Sequence, residues 1–202
     1  MRKLLAIAAT LAALGTAAPA QAEGDAAAGQ TKAAVCAACH GPDGNSANPE
    51  WPSLAGQHAS YLVSQLEAFK SGARQNVLMS PMAMPLSEQD MADLAAWFSS
   101  QALTPKQADP AVVDRGRRLY RGGDAERNVT ACIACHGPTG QGNPLAGYPV
   151  IAGQHATYAA ATLRAYRAGE RKSDANQMMR NIASNLSDED IRALASYIQG
   201  LR

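Results

Sequence analysis

The feature that most constrains this 202-residue chain is an internal duplication. Cys36-Ala37-Ala38-Cys39-His40-Gly41-Pro42-Asp43-Gly44 returns as Cys132-Ile133-Ala134-Cys135-His136-Gly137-Pro138-Thr139-Gly140, at an offset of 96. Pro52-Ser53-Leu54-Ala55-Gly56-Gln57-His58 returns as Pro149-Val150-Ile151-Ala152-Gly153-Gln154-His155 at an offset of 97, and Tyr61, Leu66, Phe69 and Gly72 match Tyr158, Leu163, Tyr166 and Gly169 in the same register. Leu86-Ser87-Glu88-Gln89-Asp90 returns as Leu186-Ser187-Asp188-Glu189-Asp190, now at 100. Order survives while the offset drifts, so a whole domain of about 90 residues is duplicated, with small insertions between its blocks.

Each repeat reads as helical. Residues 25–38 are Ala-rich without an internal Pro, and Asp25 suits a helix start. Residues 58–70 carry Tyr61, Leu62, Leu66 and Phe69 as one apolar stripe that ends near Gly72. Ser87 with Asp90, and Ser187 with Asp190, have the spacing of a capping box. Met91, Leu94, Ala95 and Phe98 then line one face, as Ile191, Leu194, Ala195 and Ile198 do in the second copy. A further helix is predicted over residues 111–120, strand-like alternation is absent, and the Pro- and Gly-bearing stretches 41–56 and 71–85 read as loops. The chain is predicted all-α, with domains over residues 23–103 and 111–202 and a polar, Pro-bearing linker over 104–110.

Residues 1–22 read as an export signal. Arg2 and Lys3 precede an apolar run over 4–18, and Ala20-Gln21-Ala22 forms a small-residue cleavage site. The run is too short for a confident membrane span, which needs about 20 residues. Charge divides unevenly. Residues 23–104 hold three basic and eight acidic side chains, a net of −5, whereas residues 105–202 hold 13 and nine, a net of +4. The basic residues form no polybasic run, which argues against nucleic acid and for a dipolar protein that orients on a charged partner or surface.

The four cysteines carry the chemistry. Cys-x-x-Cys-His is the attachment motif of c-type haem. On one helical turn two thiols at i and i+3 reach the two vinyl groups of one porphyrin, and the adjacent imidazole points at the iron. A thioredoxin-like reading needs a βαβ pattern, and a zinc site needs four ligands gathered together. Here each Cys pair has its own His and lies about 96 residues from the other. A disulfide within each pair leaves the twice-repeated His unexplained. Two haem c groups per chain are therefore expected, on Cys36, Cys39, Cys132 and Cys135, with His40 and His136 as iron ligands. A large flat apolar cofactor would also supply the core that domains this small and poor in aromatics lack.

A second ligand is sought among the methionines, because electron-transfer haems commonly pair His with Met. Registered on Leu86-Ser87 and Leu186-Ser187, Met79 falls on Met179, whereas Met82 falls on Ile182, Met84 on Ser184 and Met178 on Leu78. Met79 and Met179 are preferred, and Met91 belongs to a core stripe. The carbonyls of Pro52 and Pro149 are candidates to fix the ligand imidazoles. His58 and His155 read as helix-start residues with local hydrogen bonds. Tyr61, Tyr158 and Trp51 are open between lining the haem, bonding a propionate, and ordinary core or surface roles.

At this point the chain resembles a known family. An exported tandem with "CAACHGPDG", "AGQ" and "LSEQDMADLAAWF" is similar to cytochrome c4 over essentially the whole mature chain. The resemblance implies two tandem class I cytochrome c domains related by a pseudo-twofold. It implies a periplasmic electron carrier, often associated with the membrane surface, that takes electrons from a quinol-oxidising complex towards a terminal oxidase of the respiratory chain. It also implies His40 with Met79, His136 with Met179, and the carbonyl roles of Pro52 and Pro149. The stretch from Met79 to Pro85 is richer in Met and Pro than that pattern. A di-haem peroxidase-type enzyme, or a soluble subunit of a larger oxidoreductase, is the alternative. Matched Met columns favour the carrier, since two six-coordinate irons leave no place for substrate.

Overall fold

Three helix starts are fixed by the side chain of the N-cap residue itself, which accepts from otherwise unpaired N–H groups. Asp25 accepts from Ala27 and Ala28 and opens α1 (Ala26–Lys32). Ser87 opens α5 (Glu88–Ser99) and Ser187 opens α10 (Asp188–Gly200), each in a complete capping box with Asp90 or Asp190. Between them lie α2 (Ala34–His40), α3 (Ala59–Ser71), α4 (Met79–Ala83), α6 (Val113–Gly122), α7 (Ile133–His136), α8 (Ala156–Arg167), a 3-10 turn (Ala175–Gln177) and α9 (Met178–Ala183). These come from a computed structural model that describes residues 23–202; the export signal expected over 1–22 lies outside the described residues. Only two isolated β-bridges occur among the described residues, Asp124 with Val129 and Asn143 with Tyr148.

Three elements differ from expectation. The single helix over 25–38 is two, because Cys36 N–H bonds the Ala33 carbonyl three residues back and tightens the chain there. The cysteine motif thus rides on its own short helix. The helix expected over 111–120 runs Val113–Gly122. The loop expected over 71–85 contains α4, whose first N–H groups, Leu78 and Met79, bond the Asn76 side chain. Its second copy, α9, is entered through Asn176 and Gln177 in left-handed conformation.

In each half the first and last helices cross at a glycine. A Cβ on Gly29 would lie 2.0 Å from the Asp93 carbonyl oxygen, and one on Gly116 would lie 2.1 Å from that of Ala193. Charged groups lock each crossing. Lys32 bridges Asp90 and Asp93 at 2.6 Å each, while Arg115 and Arg127 converge on the fully buried Asp190 at 2.7 and 2.6 Å. Gly29 and Gly116 are 87 residues apart and the cysteines 96, so nine residues are inserted between α6 and α7. The buried apolar clusters are unequal: Ala33, Leu62, Leu94, Ala95 and Phe98 in the first half, against fifteen residues around Tyr120, Ile191 and Leu194 in the second. The first half therefore depends more on a cofactor to complete its interior.

The halves are joined by reciprocal hydrogen bonds. The Gln57 side chain brackets the Val150 backbone, accepting from its N–H (2.9 Å) and donating to its carbonyl (2.8 Å). Gln154 does the same to Ser53, at 2.9 Å for both bonds. His58 Nε2 meets the Gln141 carbonyl at 2.7 Å, and His155 Nε2 meets that of Ser46 at 2.8 Å. Lys106 of the linker adds a bond to the Gly153 carbonyl. Such exchange of equivalent contacts is the property of a twofold, here within one chain. The local reading of His58 and His155 is thus corrected: neither side chain caps its helix, and both reach across to the other half.

Candidate metal centres

The two Cys-x-x-Cys-His turns end on glycines in positive φ, Gly41 at 82° and Gly137 at 74°, which turn the chain sharply away after the histidine. His40 and His136 are 6% and 7% exposed. His40 Nδ1 lies 2.8 Å from the Pro52 carbonyl oxygen, and His136 Nδ1 lies 3.0 Å from that of Pro149. A carbonyl only accepts, so Nδ1 carries the proton and Nε2 the lone pair. Burial, outweighing those carbonyl bonds, lowers both imidazole pKa values and keeps the rings neutral, the form that ligates iron.

All four cysteines are outside any disulfide and half-buried. Burial pushes the Cys132 thiol up to about 11, and burial with Cys39 nearby also raises that of Cys36. Cys132 and Met179 both pack against the second core cluster, and Cys36 against the first. Met79 is half-buried at the start of α4, whereas Met82 and Met84 are 44% and 58% exposed; Met91 is 2% exposed. Pro52 and Pro149 are in contact with the imidazoles through their carbonyls, as the spacing suggests. Trp51 and its counterpart Tyr148 are half-buried, and Tyr148 stands 6.4 Å from the His136 ring.

Tyr61 and Tyr158 lie at the seam between the halves. Arg171 donates to the Tyr61 hydroxyl at 3.0 Å, and Arg74 donates to that of Tyr158 at 2.9 Å. Both guanidiniums also donate to one oxygen, Gln65 Oε1, at 2.7 and 2.8 Å. Each stacks on an aromatic ring of its own half, Arg171 on Tyr166 and Arg74 on Phe69. Burial raises the Tyr158 pKa, but the charges of Arg74 and Arg171 more than offset it, so the hydroxyl is more acidic than an ordinary tyrosine.

A haem asks three things of a protein: thiols for its vinyl carbons, a lone pair for its iron and donors for its carboxylates. Each half offers the first two on a single turn. For the third, Arg171 Nε and Ser173 Oγ are buried donors without a hydrogen-bond partner among the described residues. The donor set fits the group.

The known relatives of the chain agree. A sequence profile described as cytochrome c matches it twice, over residues 26–102 and 113–202. Cytochrome c4 of Azotobacter vinelandii is 50% identical over 198 residues, covering 93% of this chain and 94% of that one. This chain belongs to the cytochrome c4 family. The crystal structure of reduced recombinant cytochrome c4 from Pseudomonas stutzeri superposes with a TM-score of 0.86 at 49% identity, covering 89% of this chain and all of the other. The thiosulfate dehydrogenase electron acceptor of Stutzerimonas stutzeri is 42% identical, covering 82% of this chain and 78% of that one. As a cytochrome c4 the chain is an electron carrier, with two covalently bound haem c groups, one in each cytochrome c domain, and redox proteins as its partners.

Several residues of consequence escape a reading by motif. Gly29 and Gly116 are signalled only by a glycine inside a helical pattern, repeated at an offset of 87 that differs from the rest. Arg74 and Arg171 are repeated at 97, a match that the tyrosines and glycines on either side would have led to.

Proposed function

We propose that His40 with Met79, and His136 with Met179, would hold the irons of the two haems, and that the chain moves single electrons in the periplasm from a quinol-oxidising complex to a terminal oxidase. The observation that carries the ligand reading is the contrast in burial within one short segment. Met79 is half-buried, while Met82 and Met84 on the same stretch point to solvent. Met179 packs against the second core cluster, as Cys132 does. One-electron chemistry at iron is what the haem supplies when bound. The protein's own part is to hold each imidazole neutral and fixed through the Pro52 or Pro149 carbonyl. A Met sulfur favours the reduced iron and raises its potential.

Periplasmic location rests on the export signal read over residues 1–22, and no helix among the described residues is long and apolar enough to cross a membrane. The uneven charge of the halves supports docking to charged partners or to a membrane surface. A second route is favoured by one observation. The relative at 42% identity is an electron acceptor of thiosulfate dehydrogenase, so a periplasmic dehydrogenase is a donor this chain would also fit.

The test is ligand substitution in the holoprotein. Met79→Ala and Met179→Ala are each expected to abolish the sulfur-to-iron charge-transfer absorption of one haem and lower its potential, while Met82→Ala leaves both bands intact. Loss of a band in Met82→Ala and its retention in Met79→Ala would reject the register.

A further inference from the structure

The arginine pair at the seam is an ion-pair site with one partner to be named. Arg171 is 8% exposed, and among the described residues no carboxylate pairs with it or with Arg74. Every hydrogen-bond partner of the two guanidiniums is neutral: the Tyr61 and Tyr158 hydroxyls and the Gln65 amide. One amide oxygen receives N–H groups from both, so two like charges are drawn together around a neutral acceptor. A buried cation without a counterion is strongly unfavourable, and a second, half-buried one beside it makes it more so. Arg171 Nε and the Ser173 hydroxyl, two residues along, are buried with no acceptor opposite them. The site therefore calls for anionic oxygens on the Arg171 side of the seam.

We propose that Arg171 and Ser173 bind a propionate carboxylate of the second haem, and that Arg74 takes the equivalent carboxylate of the first. The assignment rests on the haem reading above. Arg171 stacks on Tyr166, a member of the second core cluster, and Cys132 and Met179 pack against that same cluster. Its N–H edge donates to Tyr61 and Gln65 of the first domain, so the same side chain ties the second haem to the domain clasp. The site is not symmetric. Gln65 is matched by Thr162, and Arg74, unlike Arg171, is only half-buried. A buried positive charge held on a propionate favours the electron on that iron, so Arg171 raises the second haem's potential and fixes its propionate as an anion.

The experiment is a spectroelectrochemical titration of the full holoprotein between pH 5 and 8, with wild type, Arg171→Gln, Arg171→Lys and Ser173→Ala compared. Arg171→Gln is expected to lower the reduction equilibrium constant of the second haem about tenfold, or 59 mV for one electron, and to introduce a pH dependence as the propionate begins to titrate. Arg171→Lys retains most of the wild-type value, because charge remains. Ser173→Ala, which leaves the clasp intact, shifts the propionate bending mode in resonance Raman spectra. Equal losses in the Lys and Gln variants would mean a structural role and overturn the proposal, as would a shift confined to the first haem. An unchanged potential with an unchanged Raman mode would do the same. A wild-type potential that moves with added phosphate at constant ionic strength would assign the site to a solution anion instead. Failure of the ligand reading is separate, since it would appear in wild type as absence of the low-spin His/Met spectrum.

Discussion

Replacing Gly116 by Ala sets two effects against each other in one helix. Within an exposed helix the change favours folding by about 1 kcal/mol, since Ala restricts the unfolded chain and Gly does not. At this position the new methyl would sit 2.1 Å from the Ala193 carbonyl oxygen, 2.7 Å from its carbon and 2.7 Å from the Tyr197 Cβ. Ordinary contact begins near 3.4 Å, so α6 and α10 must part by roughly 1.3 Å. A backbone carbonyl cannot swing aside as a flexible side chain does, so the upper end of the overpacking range, about 3 kcal/mol, applies. The net is a loss of about 2 kcal/mol, which for a domain of this size lowers its melting temperature by about 8–16 °C. The same helix supplies the control. A Cβ on Gly122 would meet nothing within 4 Å, and the residue has an ordinary φ, so Gly122→Ala is expected to be neutral or slightly stabilising. Thermal unfolding of the holoprotein, followed by far-ultraviolet circular dichroism, reads both. A Gly116→Ala protein as stable as wild type would refute the close-approach argument.

Asp190→Asn removes the charge that Arg115 and Arg127 share; with both arginines about 40% exposed, a loss of about 2 kcal/mol is expected, seen as a lower urea midpoint at unchanged slope. His155 has its pKa lowered by burial and by Lys106, against the Ser46 carbonyl bond, so the folded form binds a proton less readily than the unfolded. Its contribution is complete above the unfolded value near 6.5 and is lost as pH falls through the lower folded value, at up to about 1.4 kcal/mol per pH unit. Melting temperatures from pH 7.5 to 5 are expected to fall less steeply in His155→Gln than in wild type. With a net −5 on the first half and +4 on the second, the second haem is expected to show the higher potential in a redox titration; one charge about 20 Å away contributes roughly 35 mV at an effective dielectric near 20, and the split should shrink with salt.

What the sequence reveals here depends on whether a contact involves side-chain identity at both ends. The capping boxes of α5 and α10 are legible because Ser and Asp meet within three residues. The break at Ala33 is not, because no Gly or Pro marks it and the residue stays right-handed. Helix α4 is hidden in a Pro-rich stretch with no apolar period, and it is held by an asparagine capping two N–H groups. The haem turns are legible as a motif, and the Pro52 and Pro149 carbonyls as candidates. The clasp is the hardest feature to foresee. Gln57, Gln154, His58 and His155 all address backbone atoms of the other half, and backbone atoms leave no trace in residue type. A histidine at a helix start, read along the chain, suggests a local cap; its partner carbonyl lies 83 residues away for His58 and 109 for His155.

A duplicated chain keeps two kinds of repeated residue, and the structure separates them. Cys36, His40 and Pro52 serve their own half, and their second copies do the same work in the other. Gln57, His58 and Tyr61 are repeated for a different reason: a twofold seam needs each group twice, once from either side. Repetition alone therefore does not mark a residue as belonging to a haem. The departures from repetition matter most for an electron carrier, because two identical sites would give the electron no preferred end. Here the departures are concrete: opposite net charge, a nine-residue insertion after α6, a core cluster of five buried residues against one of fifteen, and Gln65 opposite Thr162 at the arginine pair. The last lies on the seam itself. With Gln65 on one side and Thr162 on the other, both guanidiniums lean on the same amide of the first domain, so the symmetric clasp encloses an unsymmetric charge.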